Sequence, residues 1–331
     1  TPDFKLDWVL GLKYVFRNHV RRKMSKIFSF CNQKGGVGKT TSAINIATVL
    51  AKSGVKVLVI DIDSQGNATS GFGVEKPDME FTSYQLFVEN SNPKEVIKKT
   101  EIENLDLLAS NQDLSGAELE ILNRDRREYI LKSSLEILRN DYDFIFLDCP
   151  PSLGLITINA LTASTYAIIP LQCEYYALEG LGQLLRTIEL VRKNLNPGIE
   201  IGGVVLTMAD FRTNLTQQVI AEVRNYFKDK VFEAIVPRSV KLSEAPSFGK
   251  PAVLYDPSSR GSKAYQLVAQ EFEKRFLNRM EGWRNEMIHE VTEQDDNLRK
   301  AALEAMRKAE EEQKNHANKN AGPHGDQKET M

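Results

Sequence analysis

Gln33-Lys34-Gly35-Gly36-Val37-Gly38-Lys39-Thr40-Thr41 is the stretch on which the fold turns. A short apolar run, Ile27-Phe28-Ser29-Phe30, precedes it, and a helical pattern from Ala43 to Ala51 follows. Strand, glycine-rich turn and helix together form the setting of a phosphate-binding loop. Glycines let the backbone curl so that several N–H groups and the positive helix end face one anion. Lys39 adds a point charge for the outer phosphates of a nucleotide, and the Thr40 hydroxyl is placed for magnesium.

The general pattern G-x-x-x-x-G-K-[ST] asks for glycine where Gln33 stands, so the strict motif fails. What stands instead is K-G-G-V-G-K-T-T, with a second lysine, Lys34, at the loop entrance. This resembles the deviant Walker A loop of the ParA/MinD/nitrogenase-iron-protein group of P-loop ATPases. The resemblance implies that Lys34, Gly35, Gly36, Val37, Gly38, Lys39, Thr40 and Thr41 hold ATP with Mg2+. It also implies that Lys34 reaches across an ATP-dependent homodimer to the partner's nucleotide.

Composition sets the outer limits. The chain has 331 residues, 41% of them apolar, enough for one large domain with appendages. Its formal net charge is −2, so nucleic-acid binding would have to come from a local basic patch. Cys31, Cys149 and Cys173 lie far apart without Cys-x-x-Cys spacing, which points to a reducing cytosol and to neither a disulfide framework nor a zinc site. No apolar run approaches the ~20 residues of a membrane-spanning helix. Residues 1–23 read as a leader or extension, possessing Phe4, Trp8 and Phe16 among basic residues, and Met24-Ser25-Lys26 reads as a natural beginning.

Further along, the buried-strand run Val55 to Ile60 ends in Asp61-Ile62-Asp63-Ser64-Gln65-Gly66-Asn67-Ala68-Thr69. Carboxylates at the end of a parallel strand beside a phosphate loop sit where ligands bind in open α/β sheets. The stretch matches the family's D-x-D-P-Q-G-N-A-T, with Ser64 in place of the usual proline. By that match Asp63 positions or activates the attacking water and lies at the magnesium ion, and Asp61 supports the magnesium shell. Residues 72–142 read as short helices around one strand, Leu105–Leu108. Phe144-Ile145-Phe146-Leu147-Asp148 is an apolar strand ending in an aspartate, a Walker B pattern, and Asp148 is expected to hold magnesium through water. Strands over 167–171 and 201–207, helices to about Lys193 and over Asn214–Phe227, and a closing helix over 261–277 complete the pattern. Alternating strands and helices give an α/β fold with a doubly wound, mainly parallel sheet.

Q-C-E-Y-Y-A-L-E-G, V-P-R-S-V-K-L-S-E-A-P-S-F-G-K-P and Y-D-P-S-S-R-G look like the chromosomal ParA/Soj partition ATPases, over roughly residues 25–277. That resemblance implies non-specific DNA binding through Arg212 and Lys241, and adenine near Met208 and Pro237. It further implies a ParB-like centromere-binding partner that stimulates hydrolysis, and a cytoplasmic, nucleoid-associated protein. The ATPase domain is expected over 24–278, a charged amphipathic helical extension over 279–314 and a disordered tail over 315–331. Acidic residues outnumber basic ones between Arg279 and Lys314, so anionic lipid is not expected to attract that helix. The alternative reading is a MinD-like membrane-associated positioning ATPase, for which the basic 1–23 segment is the only feature. An iron–sulfur reductase of the nitrogenase-iron-protein type would need paired cysteines, which the spacing does not supply.

Overall fold

The computed structural model describes residues 24–75, 81–174 and 177–277, without the side chains of 177–179. The expectations for 1–23, 279–314 and 315–331 lie outside the described residues.

Seven strands form one sheet: β1 (Lys26–Phe30), β2 (Val57–Asp61), β3 (Lys98–Lys99), β4 (Leu105–Leu108), β5 (Phe144–Asp148), β6 (Tyr166–Gln172) and β7 (Glu200–Thr207). Their order is β3-β4-β2-β5-β1-β6-β7. Every pairing is parallel except β3 with β4. The two-residue β3 is the one strand the apolar pattern misses. It is an edge strand of two lysines, and Lys99 is held there by an ion pair to Asp106 at 2.7 Å.

The central strands read as continuous apolar runs because both faces of the sheet are covered. Alternation still divides the work between the faces. Ile27, Leu58, Ile60, Ile145 and Leu147 enter the larger aliphatic core. Phe28, Phe144 and Phe146 form an aromatic cluster with Phe272, whose ring centroid lies 4.7 Å from that of Phe28.

The main helices are α1 (Lys39–Lys52), α2 (Leu155–Ala163), α3 (Ala177–Asn194), α4 (Asn214–Phe227) and α5 (Arg260–Phe276). α1 packs on β1, β2 and β5, so the helix that opens at the phosphate loop rests on the middle of the sheet. A short helix, Asn67–Gly71, follows the β2 carboxylates, and its end meets the 245–251 segment backbone to backbone. A Cβ on Gly73 would lie 3.0 Å from the Gly249 carbonyl oxygen, and one on Gly249 would lie 2.7 Å from the Gly73 Cα. Both glycines have positive φ, +75° and +60°, so shape and conformation alike exclude a side chain there. Among the described residues no helix is long and apolar enough to cross a membrane.

Candidate nucleotide site

Strand register assembles the site. β1 lies between β5 and β6, and Phe30 pairs with Asp148, while Asp148 also pairs with Asp61 on β2. The loop after β1 and the carboxylates ending β2 and β5 therefore emerge side by side at the carboxyl edge of the sheet. Asp63 follows two residues on and is largely buried.

The loop is tied down on several sides. Asn32 donates its side-chain amide to the Pro170 carbonyl at 2.8 Å and accepts the Lys34 backbone N–H at 3.0 Å. Thr207 at the end of β7 donates to the Val37 carbonyl at 2.8 Å. Ser42 and Tyr265 hydroxyls lie 3.0 Å apart, joining α1 to α5. Gly38 caps α1 at φ 86°, a left-handed conformation that glycine adopts without strain. Asn32, Ser42 and Tyr265 do not stand out in the sequence, because their partners are far away along the chain. Asn32 follows the apolar run of β1 and precedes the polar Gln33 and Lys34, so it reads as the start of the loop.

Charge inside the site is unbalanced. Lys39 is 6% exposed, and no hydrogen bond or ion pair reaches its ammonium from the described residues. The Thr40 hydroxyl donates to Asp148 Oδ2 at 2.7 Å, while Asp148 Oδ1 is buried without a partner. Burial, and then the neighbouring Asp61 charge, push the Asp148 carboxyl well above the usual carboxylate range. A buried cation at the end of the glycine-curled loop and a half-satisfied carboxylate on the neighbouring strand end fit a bound phosphate chain with a divalent cation.

Asp61 is held within its own turn. Its Oδ2 accepts the Thr69 N–H at 2.8 Å and the Thr69 hydroxyl at 2.7 Å, and its Oδ1 accepts the Asp63 N–H at 3.2 Å. Burial raises its carboxyl to about 6 against those hydrogen bonds. Asp63 Oδ1 accepts the Gln65 N–H at 3.0 Å. Among the described residues no group of three or more His, Cys, Asp or Glu is disposed to hold a metal by itself. The Thr40 hydroxyl and the Asp148 carboxylate are oxygen donors of the kind magnesium takes, alongside waters and substrate phosphates.

Lys34 points elsewhere than Lys39. Its ammonium lies 3.6 Å from Glu174 Oε2, and Glu174 Oε1 also accepts from Arg238 at 3.0 Å and from the Gln172 amide at 2.6 Å. Met208 holds φ 52°, unusual for a residue with a side chain, and the next residue, Ala209, bridges to Pro237. Met208 and Pro237 are thus brought into neighbouring segments beyond the end of β7. Arg212 and Lys241 are present on exposed segments, but each is paired locally. Arg212 chelates Asp210 at 2.8 and 2.6 Å, and Lys241 meets Glu244 at 2.9 Å.

Known proteins share this architecture. An AAA domain family model (AAA_31) matches residues 25–201. Sporulation initiation inhibitor protein Soj of Bacillus subtilis is 55% identical over 248 residues, covering 75% of this chain and 98% of Soj. The crystal structure of cobyrinic acid a,c-diamide synthase from Mycobacterium smegmatis with bound ADP and magnesium is 34% identical, with a TM-score of 0.68. It covers 77% of this chain and 96% of that one. A putative plasmid partition protein from Borrelia burgdorferi bound to AMPPNP is 30% identical with a TM-score of 0.65, covering 76% and 99%. With identity at that level across almost all of Soj, the chain belongs to the ParA/Soj family of partition proteins and is a P-loop ATPase.

Proposed function

We propose that the protein is a DNA-segregation switch driven by ATP. ATP binds on the loop from Lys34 to Thr41, with Mg2+, and two protomers then close face to face. The closed dimer holds DNA without sequence preference, and hydrolysis stimulated by a ParB-like partner releases it. The observation that carries the site is the buried Lys39 ammonium, without a protein partner, beside the Thr40–Asp148 pair. The relationship to Soj and to a nucleotide-bound partition protein supports the choice of ATP and of cargo.

Each residue has a distinct task in this reading. The loop N–H groups and Lys39 bind the phosphates. Thr40 and Asp148, the latter through water, would hold the magnesium ion, which when bound neutralises charge on the phosphate oxygens. Asp63 orients the attacking water, and the Thr69 hydrogen bonds to Asp61 keep the start of that acidic turn fixed. Lys34 of each protomer adds positive charge at the other's transferring phosphoryl group, where negative charge grows in the transition state. Met208 and Pro237 flank the adenine. Arg212 and Lys241 contact DNA phosphates after exchanging their local acidic partners for them.

The test is binding to a non-specific duplex with ATP, with ADP and without nucleotide, for wild type and Lys34→Ala at two salt concentrations. Tight, salt-sensitive binding with ATP alone, lost in Lys34→Ala, is the expected result. Binding indifferent to nucleotide would reduce the DNA role to a surface patch and refute the switch.

A further inference from the structure

Glu174 stands two residues past the end of β6 and is the one carboxylate that meets Lys34 among the described residues. The same strand end also anchors the Lys34 backbone, through Asn32 and the Pro170 carbonyl. Lys34 is therefore tied to one short segment, 170–174, directly through its ammonium and, by way of the Asn32 side chain, through its N–H. We infer that Glu174 is a positioning residue that keeps Lys34 turned toward its own protomer, and that this pair opens before Lys34 can serve a partner's nucleotide. The inference rests on the dimer reading above.

The contacts suit a latch that opens readily. Separation of 3.6 Å is long for a charged pair, and the Lys34 and Glu174 side chains are 38% and 44% exposed. When Lys34 leaves, Glu174 keeps Arg238 at 3.0 Å and the Gln172 amide at 2.6 Å, so no carboxylate is stranded. Lys34 in turn exchanges one carboxylate for phosphate oxygens of higher charge. An exposed pair of this kind shifts an equilibrium by up to about fivefold, and closing a symmetric dimer opens two of them, a combined effect of about two- to thirtyfold.

Two measurements test it, on the full chain. The first is the Lys34 side-chain NMR signal in the nucleotide-free protomer, for wild type and Glu174→Gln. The second is the dimer Kd with a non-hydrolysable ATP analogue, for the same two proteins, by sedimentation equilibrium at 0.1 M and 0.5 M salt. Glu174→Gln is expected to move the Lys34 signal and to tighten the dimer by about two- to thirtyfold, with the gain shrinking at high salt as the pair is screened. A packing role for Glu174 would give no such salt dependence. An unmoved Lys34 signal, or a Glu174→Gln dimer with the wild-type Kd, overturns the latch alone. A wild type that stays monomeric with the analogue overturns the dimer reading, and the latch with it.

Discussion

Thr207, the last residue of β7, donates its hydroxyl to the carbonyl of Val37 in the phosphate loop at 2.8 Å, across a separation of 170 positions in the chain. Both residues are buried. The next residue after Thr207 is the strained Met208, so one hydrogen bond joins the phosphate loop to the segment where we propose the base lies.

Replacing Thr207 with valine keeps the shape and deletes the donor. The buried Val37 carbonyl then loses its partner, at a cost of about 1–3 kcal/mol. Chemical denaturation is expected to show that loss, and ATP affinity is expected to fall. An unchanged denaturation midpoint would mean that the carbonyl finds water instead.

Gly35 and Gly38 are expected to separate binding from dimerisation. Gly35 does not need a left-handed backbone, and the nearest atom to an added Cβ is Pro151 Cβ at 3.8 Å. Gly35→Val is therefore expected to fold and bind ATP normally while failing to dimerise, read by calorimetry and sedimentation. Gly38→Ala would meet nothing closer than 3.7 Å but must hold φ 86°, at about 1–2 kcal/mol, and is expected to weaken ATP binding itself.

Asp61 and Asp148 make the nucleotide-free protein sensitive to pH. Burial raises the Asp61 carboxyl from 3.8 to about 6, and raises Asp148 in the same direction. The folded chain thus holds protons that the unfolded chain releases; the Asp61 share of that stability is lost as pH climbs from about 4 through about 6, and the Asp148 share as pH climbs from about 4 through its own raised range. Asp148→Asn removes one of the two charges. Its urea-unfolding free energy is expected to fall less steeply across that window than that of wild type, while magnesium-dependent ATP hydrolysis drops sharply. A parallel pH dependence in the two proteins would count against the pair as its source.

Arg212 holds the Asp210 carboxyl down to about 2, so the pair is intact at neutral pH. If Arg212 contacts DNA, Asp210→Asn releases it and is expected to tighten ATP-dependent duplex binding, while Lys241→Ala lowers the log–log salt slope by about one unit. Filter binding across a salt series reads both. Weaker binding by Asp210→Asn would show that the pair orders the surface instead of occupying it.

Local pattern was enough to place the elements that carry the chemistry. The Asn214–Phe227 helix has the bounds its sequence suggests, since Thr213 caps it and its apolar residues recur on one face. The phosphate loop and the strand-end aspartates were equally legible, because backbone geometry and charge are local demands. Strand order was not legible, being set by packing across the sheet. Nor was the Glu174 contact with Lys34, or the Asn32 anchor on Pro170, since each joins residues that no spacing rule connects. Lys39 and Lys34 look alike in sequence, and only the fold separates a buried, partnerless ammonium from one paired at the surface.

The contact between Gly73 and Gly249 reaches further than its size suggests. On one side, a few residues back, is Thr69, which grips Asp61; on the other is the segment that carries Lys241. Two main chains meet there with no side chain between them to bend or rotate. A shift of the short helix behind Asp61 has no slack to absorb it, so the Lys241 segment must move with it or break contact. The junction is a rigid coupling, and evolution cannot soften it by substitution at either glycine.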